Sequence, residues 1–143
     1  MRSYLVVGNQ TLAGPELAIV IADRIAAGPT SFHVVVPATP VPGGLTWDER
    51  EAAVAAHERL ASILDRLREM EAEATGEIGS RDPVEAIHDA LRGRSVDEII
   101  LSTLPPGLSR WLGQDVPSRV KSSVSIPVTV VTATRAPIKA TSA

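Results

Sequence analysis

Three polar stretches follow three apolar runs in this chain of 143 residues: Gly8-Asn9-Gln10-Thr11, Pro37 to Pro40 with Thr39, and Ser102 to Gly107 with Thr103. Arg110 lies just beyond the third, and Asp115 and Arg119 follow it. Hydroxyls and an amide around one crevice, with a guanidinium nearby, suit hydrogen bonding to a small polar ligand. Short polar side chains also satisfy the backbone of their own turns, so what counts is whether the fold gathers them. The candidate ligand-binding residues are Gly8, Asn9, Thr11, Thr39, Ser102, Thr103, Arg110, Asp115 and Arg119. Catalysis finds less support. His33, His57 and His88 are scattered, which argues against a metal site. No Ser-His-Asp spacing and neither glycine-rich phosphate fingerprint is present. We therefore expect no catalytic and no metal-binding residue. Asp115 reads most simply as a helix N-cap, with Arg119 as its ion-pair partner one turn on. Trp111 reads as packing under its loop.

The elements that must position these residues follow from apolar patterning. Tyr4 to Val7 is a short continuous apolar run, as expected of a strand buried on both faces. Gly14-Pro15-Glu16 opens a helix with Pro in its favoured first turn; Leu17, Val20, Ile21 and Ile25 give it an apolar face, and Gly28-Pro29 ends it. Ser31 to Val36 is a second strand, stopped by Pro37. Thr46 and Glu49 have capping-box spacing before a long helix, about Trp47 to Ala72. Its stripe is Ala53, His57, Leu60, Leu64 and Leu67, with Arg50, Glu51, Arg59, Arg66 and Glu71 on a solvated face. Ala74 to Gly79 is a weak strand suited to a sheet edge. Asp82-Pro83-Val84-Glu85 starts a third helix, and Gly93 caps its end. Val96 to Leu101 is the fourth strand. Asp115 caps a short helix to about Ser123, and Ile126 to Val131 is the last strand. Strand and helix alternate throughout, which means a parallel sheet with helices on both faces. In such sheets ligands sit beyond the carboxyl ends of the strands, where all three polar stretches fall. We expect one α/β domain over residues 1–132 and a flexible tail over 133–143.

Composition narrows the partners. A formal charge of −3 gives no support for nucleic acid, which needs a clustered basic face. No apolar run approaches the roughly 20 residues of a membrane span, so no membrane partner is expected. The chain has no cysteine, which excludes disulfides and thiolate chemistry and is compatible with a cytoplasmic setting. The first residues enter a strand at once, leaving no room for a signal peptide.

The chain resembles the universal stress protein family over Tyr4 to Val131. The resemblance rests on the order of elements and on His33-Val34-Val35-Val36-Pro37, Asp82-Pro83-Val84-Glu85-Ala86-Ile87 and Asp97-Glu98-Ile99-Ile100. Gly107-Leu108-Ser109-Arg110 and Ile126-Pro127-Val128-Thr129-Val130-Val131 extend it. It implies an open five-stranded parallel sheet in order 3-2-1-4-5, and homodimers made through the last strand. Many members of that family bind ATP through Gly, two residues, Gly, nine residues, then Gly followed by Ser or Thr. This chain departs at each element: Ser102 stands at the first glycine, Pro105-Pro106 at the second, and Gln114-Asp115 at the last pair. Proline removes amide donors, and an N-capping Asp115 carboxylate would occupy the phosphate position. The Asp that helps those members hold a nucleotide after the first strand is replaced by the turn Gly8-Asn9-Gln10. The expectation is a binding or regulatory module with no cofactor, ATP and AMP being disfavoured. The alternative is a nucleotide-binding or nucleotide-hydrolysing enzyme that uses the same crevice.

Overall fold

The computed structural model describes residues 1–38, 49–105, 111 and 115–133. Thr39, Arg110 and the proposed Thr46 cap lie outside them. The elements are β1 (Arg2–Val7), α1 (Pro15–Ala26), β2 (Thr30–Pro37), α2 (Glu49–Glu69), β3 (Glu73–Gly79), α3 (Pro83–Leu91), β4 (Glu98–Thr103), α4 (Val116–Ser123) and β5 (Val128–Thr132). The strands form one sheet in the order β3-β2-β1-β4-β5, and every pairing is parallel. This is the α/β architecture and strand order expected from the sequence.

Side chains alternate across each strand, so the apolar runs feed two cores. On one face Tyr4, Val6, Phe32, Val34 and Ile100 pack with Leu17 and Ile21 of α1 and with Ala56, Leu60, Ile63 and Leu67 of α2. Tyr4 and Phe32 stack there, with ring centroids 5.3 Å apart. On the other face Leu5, Val7, Val35, Ile99 and Leu101 pack with Ala86, Ile87 and Ala90 of α3, Val116 and Val120 of α4, and Trp111. Trp111 is thus buried as the sequence suggests.

Three elements differ from the sequence reading. The buried stripe of α2 is Ala56, Leu60, Ile63 and Leu67, and His57 is exposed on its flank. The helix ends at Glu69 because Glu71 turns left-handed, at φ 64°, and the Ala72 amide returns to the Leu67 carbonyl at 3.1 Å. That closure is a Schellman motif built without glycine. β4 lies two residues further along than the apolar run implies. Val96 and Asp97 precede it because Asp97 is tied to Ser3, amide to carbonyl at 2.8 Å and carboxylate to amide at 2.8 Å. Ser102 and Thr103 belong to the strand because they pair with Val131 and Thr132 of β5. β5 itself starts at Val128, after Pro127, whose carbonyl accepts the Ile99 amide at 2.9 Å.

The amino ends of the strands are held by one charged cluster. Arg24, in the last turn of α1, donates from Nε and Nη2 to the two carboxylate oxygens of Glu98, each at 3.0 Å. The Thr129 hydroxyl also donates to Glu98. Arg24 holds the Glu98 carboxyl below its ordinary value, Thr129 adds to that, and burial opposes both.

Candidate functional site

At the opposite, carboxyl edge of the sheet, the turn after β1 folds tightly against β4. A side chain at Gly8 would place its Cβ 2.9 Å from Leu12 Cδ2 and 3.2 Å from Ser102 Cβ, so glycine lets the ends of the two strands sit this close without displacing Leu12 or Ser102. The close approach brings the Thr11 and Ser102 hydroxyls to 2.5 Å. Both residues are buried, at 5% and 2% exposure. Asn9 stands at the mouth of this turn. Its Nδ2 donates to the Pro37 carbonyl at the end of β2, at 2.9 Å. Its Oδ1 accepts from Arg59 Nη1 of α2, at 2.5 Å. One amide thus joins β2, the β1–α1 turn and α2. Because an amide offers one donor side and one acceptor side, the two bonds fix its orientation.

Behind this tie lies a cavity of about 240 Å³, lined by Asn9, Gln10, Leu12, Ala13, Glu58, Arg59, Ser62, Ile63 and Arg66. Gly8, Asn9, Thr11 and Ser102, which the sequence places at one edge, do come together at the β1–α1 turn, but of the four only Asn9 lines the cavity. Arg59, Ser62 and Arg66 do not stand out in the sequence. They sit at i, i+3 and i+7 along the flank of the buried α2 stripe, a spacing that charged solvated residues show equally. Burial pushes the Arg59 guanidinium below its ordinary pKa, with nearby Glu58 acting in the other direction.

Three other candidates lie apart from the crevice. Thr103 faces the opposite side of β4 from Ser102 and donates to the Thr132 hydroxyl at 3.4 Å. Asp115 does occupy the N-cap position of α4, but its backbone is left-handed (φ 57°, ψ 37°) and its side chain makes no capping bond. Only its carbonyl serves the helix, accepting the Arg119 amide at 3.1 Å. The expected carboxylate block on the helix amides is therefore not formed. Arg119 does not pair with Asp115: its Nη2 lies 3.7 Å from Asp82 Oδ2 at the start of α3. That pair is half-exposed and ties α4 to α3.

The three histidines stay separate. His33, buried in β2, has Nδ1 2.7 Å from the Thr75 hydroxyl and Nε2 3.2 Å from Glu77 Oε2. With Glu77 accepting from Nε2–H, the Thr75 hydroxyl donates to Nδ1 of a neutral ring. Burial and then the Arg94 charge push the imidazole below its ordinary value, against the pull of Glu77. His88 meets Ser123 of α4 at 2.9 Å. Among the described residues no group of three His, Cys, Asp or Glu side chains could hold a metal ion, and no helix is long and apolar enough to cross a membrane.

No family model matches the chain, and no curated protein matches it. Solved structures do. The universal stress protein from Archaeoglobus fulgidus superposes with a TM-score of 0.60 at 20% identity, over 92% of this chain and 93% of that one. This is the universal stress protein fold. A protein from the universal stress protein family from Burkholderia pseudomallei gives the same TM-score at 14% identity, over 90% and 94% of the two chains. The universal stress protein from A. fulgidus in complex with dAMP gives 0.60 at 21% identity, over 92% and 98%. Identities this low leave the universal stress protein fold shared while the side chains at its carboxyl edge are this chain's own.

Proposed function

We propose that the protein is a universal stress protein-like binding and regulatory module that takes a small polar ligand at the carboxyl edge of its sheet without a triphosphate cradle. One observation carries this reading: Asn9 is held between the Pro37 carbonyl and Arg59 on the wall of a cavity of about 240 Å³. That volume falls short of the roughly 300–1,000 Å³ that encloses a drug-sized ligand, so the occupant is small. The end of β4 and Pro105, just beyond it, support the exclusion of ATP. Ser102 fills the space above Gly8, and Pro105 offers no amide to a phosphate. The outer backbone edge of β5 pairs with no strand among the described residues. Such an edge templates pairing with another chain, and the reading includes a cytoplasmic homodimer formed through it.

The test is release of bound small molecules from purified, heat-denatured protein, followed by titration with candidates. We expect no ATP in the released fraction, a small polar compound whose binding Asn9→Ala abolishes, and a dimer mass by sedimentation. Near-stoichiometric ATP would overturn the reading in favour of a nucleotide-binding or nucleotide-hydrolysing protein. The dAMP complex of the A. fulgidus protein makes AMP the comparison ligand for that alternative.

A further inference from the structure

The cavity beside Asn9 holds two guanidiniums where hydrogen bonding to a neutral ligand needs none. Arg59 and Arg66 lie seven residues apart on α2, about two turns, so they project to the same side and stand roughly 10 Å apart along the axis. Both line the cavity, with Ser62 between them. Neither forms an ion pair among the described residues. Arg59 spends one of its five N–H donors on a neutral amide oxygen. Its half-buried charge is desolvated, and the one carboxylate acting on it, Glu58, makes no ion pair with it; such an arrangement costs stability and is met at sites where a ligand brings further negative charge.

We propose that Arg59 and Arg66 clamp the oxyanion group, phosphate or carboxylate, of a small ligand bound in this cavity. The proposal rests on the crevice being a ligand site, and adds the chemistry of what it takes. A planar guanidinium with unused N–H groups matches either oxyanion bidentately. Glu58 lines the same cavity. Two guanidiniums against one carboxylate favour an occupant with a single oxyanion group and penalise a polyphosphate, whose charges would crowd that carboxylate. Ser62 and the Gln10 amide remain for the neutral polar part of the ligand.

The experiment titrates inorganic phosphate and, separately, acetate into the 143-residue protein. Ionic strength is held constant with sodium chloride, because excluded salts alone raise stability. Calorimetry reads affinity, and the arginine Nε–Hε resonances report the site. Saturable binding of at least one probe is expected, shifting both Arg59 and Arg66. A phosphate response alone identifies a phosphate ester as the ligand class, and an acetate response alone a carboxylic acid. Arg66→Gln, on the exposed flank of α2, should weaken binding about tenfold or more, the value of a charged hydrogen bond. Arg59→Lys, which keeps the charge and loses the fork, should weaken it too. Arg50→Gln, elsewhere on α2, should leave it unchanged. Failure of both probes to saturate, or an Arg66→Gln protein that binds as tightly as the parent, overturns the clamp. Adenosine, a neutral polar probe, separates the two levels. If it binds and Asn9→Ala abolishes that binding while both anions fail, the crevice remains a site and only the clamp falls.

Discussion

Thr11 and Ser102 hold their hydroxyls 2.5 Å apart where water hardly reaches either of them. A buried hydroxyl that loses its partner pays the cost of desolvation, roughly 1–3 kcal/mol, whereas removing both partners together is far milder. Ser102→Ala and Thr11→Val should each lower the urea midpoint, and the double variant should lose clearly less than the two single losses combined. Additive losses would mean the hydroxyls do not rely on each other. The pairing was partly legible in the sequence: both residues follow apolar runs, and the fold brings the ends of β1 and β4 side by side. Thr103 reads with Ser102 in the sequence because a polar Ser-Thr pair at a strand end looks like the start of a turn, whereas alternation along the strand sends the two to opposite faces. Arg59 was not legible at all. Whether an arginine on a helix flank meets water or a crevice depends on the loop opposite, and here that loop presents Asn9.

The two aspartates at helix starts show how position and chemistry separate within an element. Asp82 accepts the Val84 amide at 3.0 Å ahead of Pro83. Asp115 also precedes a helix with Pro in its first turn, yet its left-handed backbone goes with a side chain that makes no capping bond. Asp82→Ala should therefore cost about 1 kcal/mol in chemical denaturation. Asp115→Gly should cost nothing and can gain a few tenths of a kcal/mol, because glycine adopts φ near +60° without strain. A loss at Asp115→Gly as large as that at Asp82→Ala would show that Asp115 caps after all. Both sites read alike in sequence, since a capping pattern records residue types and not φ. The same limit applies to α2, where Leu60 and Leu67 belong to the buried stripe as the periodicity predicts, but Ala56 and Ile63 complete it and His57 is exposed. Leu60 packs closely over Gly76 of β3, where an added Cβ would lie 2.5 Å from Leu60 Cδ1 and 3.0 Å from the Val34 carbonyl oxygen.

Across the whole molecule, two titrating groups on different strands push stability in one direction with pH. The native pKa of His33 lies below its ordinary 6.5, so the unfolded chain binds more protons in that interval. Stability from the neutral ring is complete above the unfolded value and drains as pH falls towards the native one. Glu98 has a native pKa below its ordinary 4.5, through Arg24 first and then Thr129. Its contribution is present above the unfolded value and is lost as pH falls through the native one. Urea stability should thus decline in two stages on acidification, the first below about pH 6.5 and the second below about 4.5. His33→Gln should flatten the first stage and leave the second. An unchanged slope between about pH 7 and 5.5 would assign that stage to another group. The Arg24–Glu98–Thr129 cluster has a second consequence. It fastens the amino ends of β4 and β5 to the last turn of α1, while the crevice lies at the carboxyl ends of the strands. The residues that tie these elements together and those of the proposed ligand crevice are thus different residues at different edges. A lineage of this fold can exchange its ligand by drift at one edge while the other edge preserves the architecture. Substitutions at the carboxyl edge therefore leave the ties of this chain's amino edge untouched.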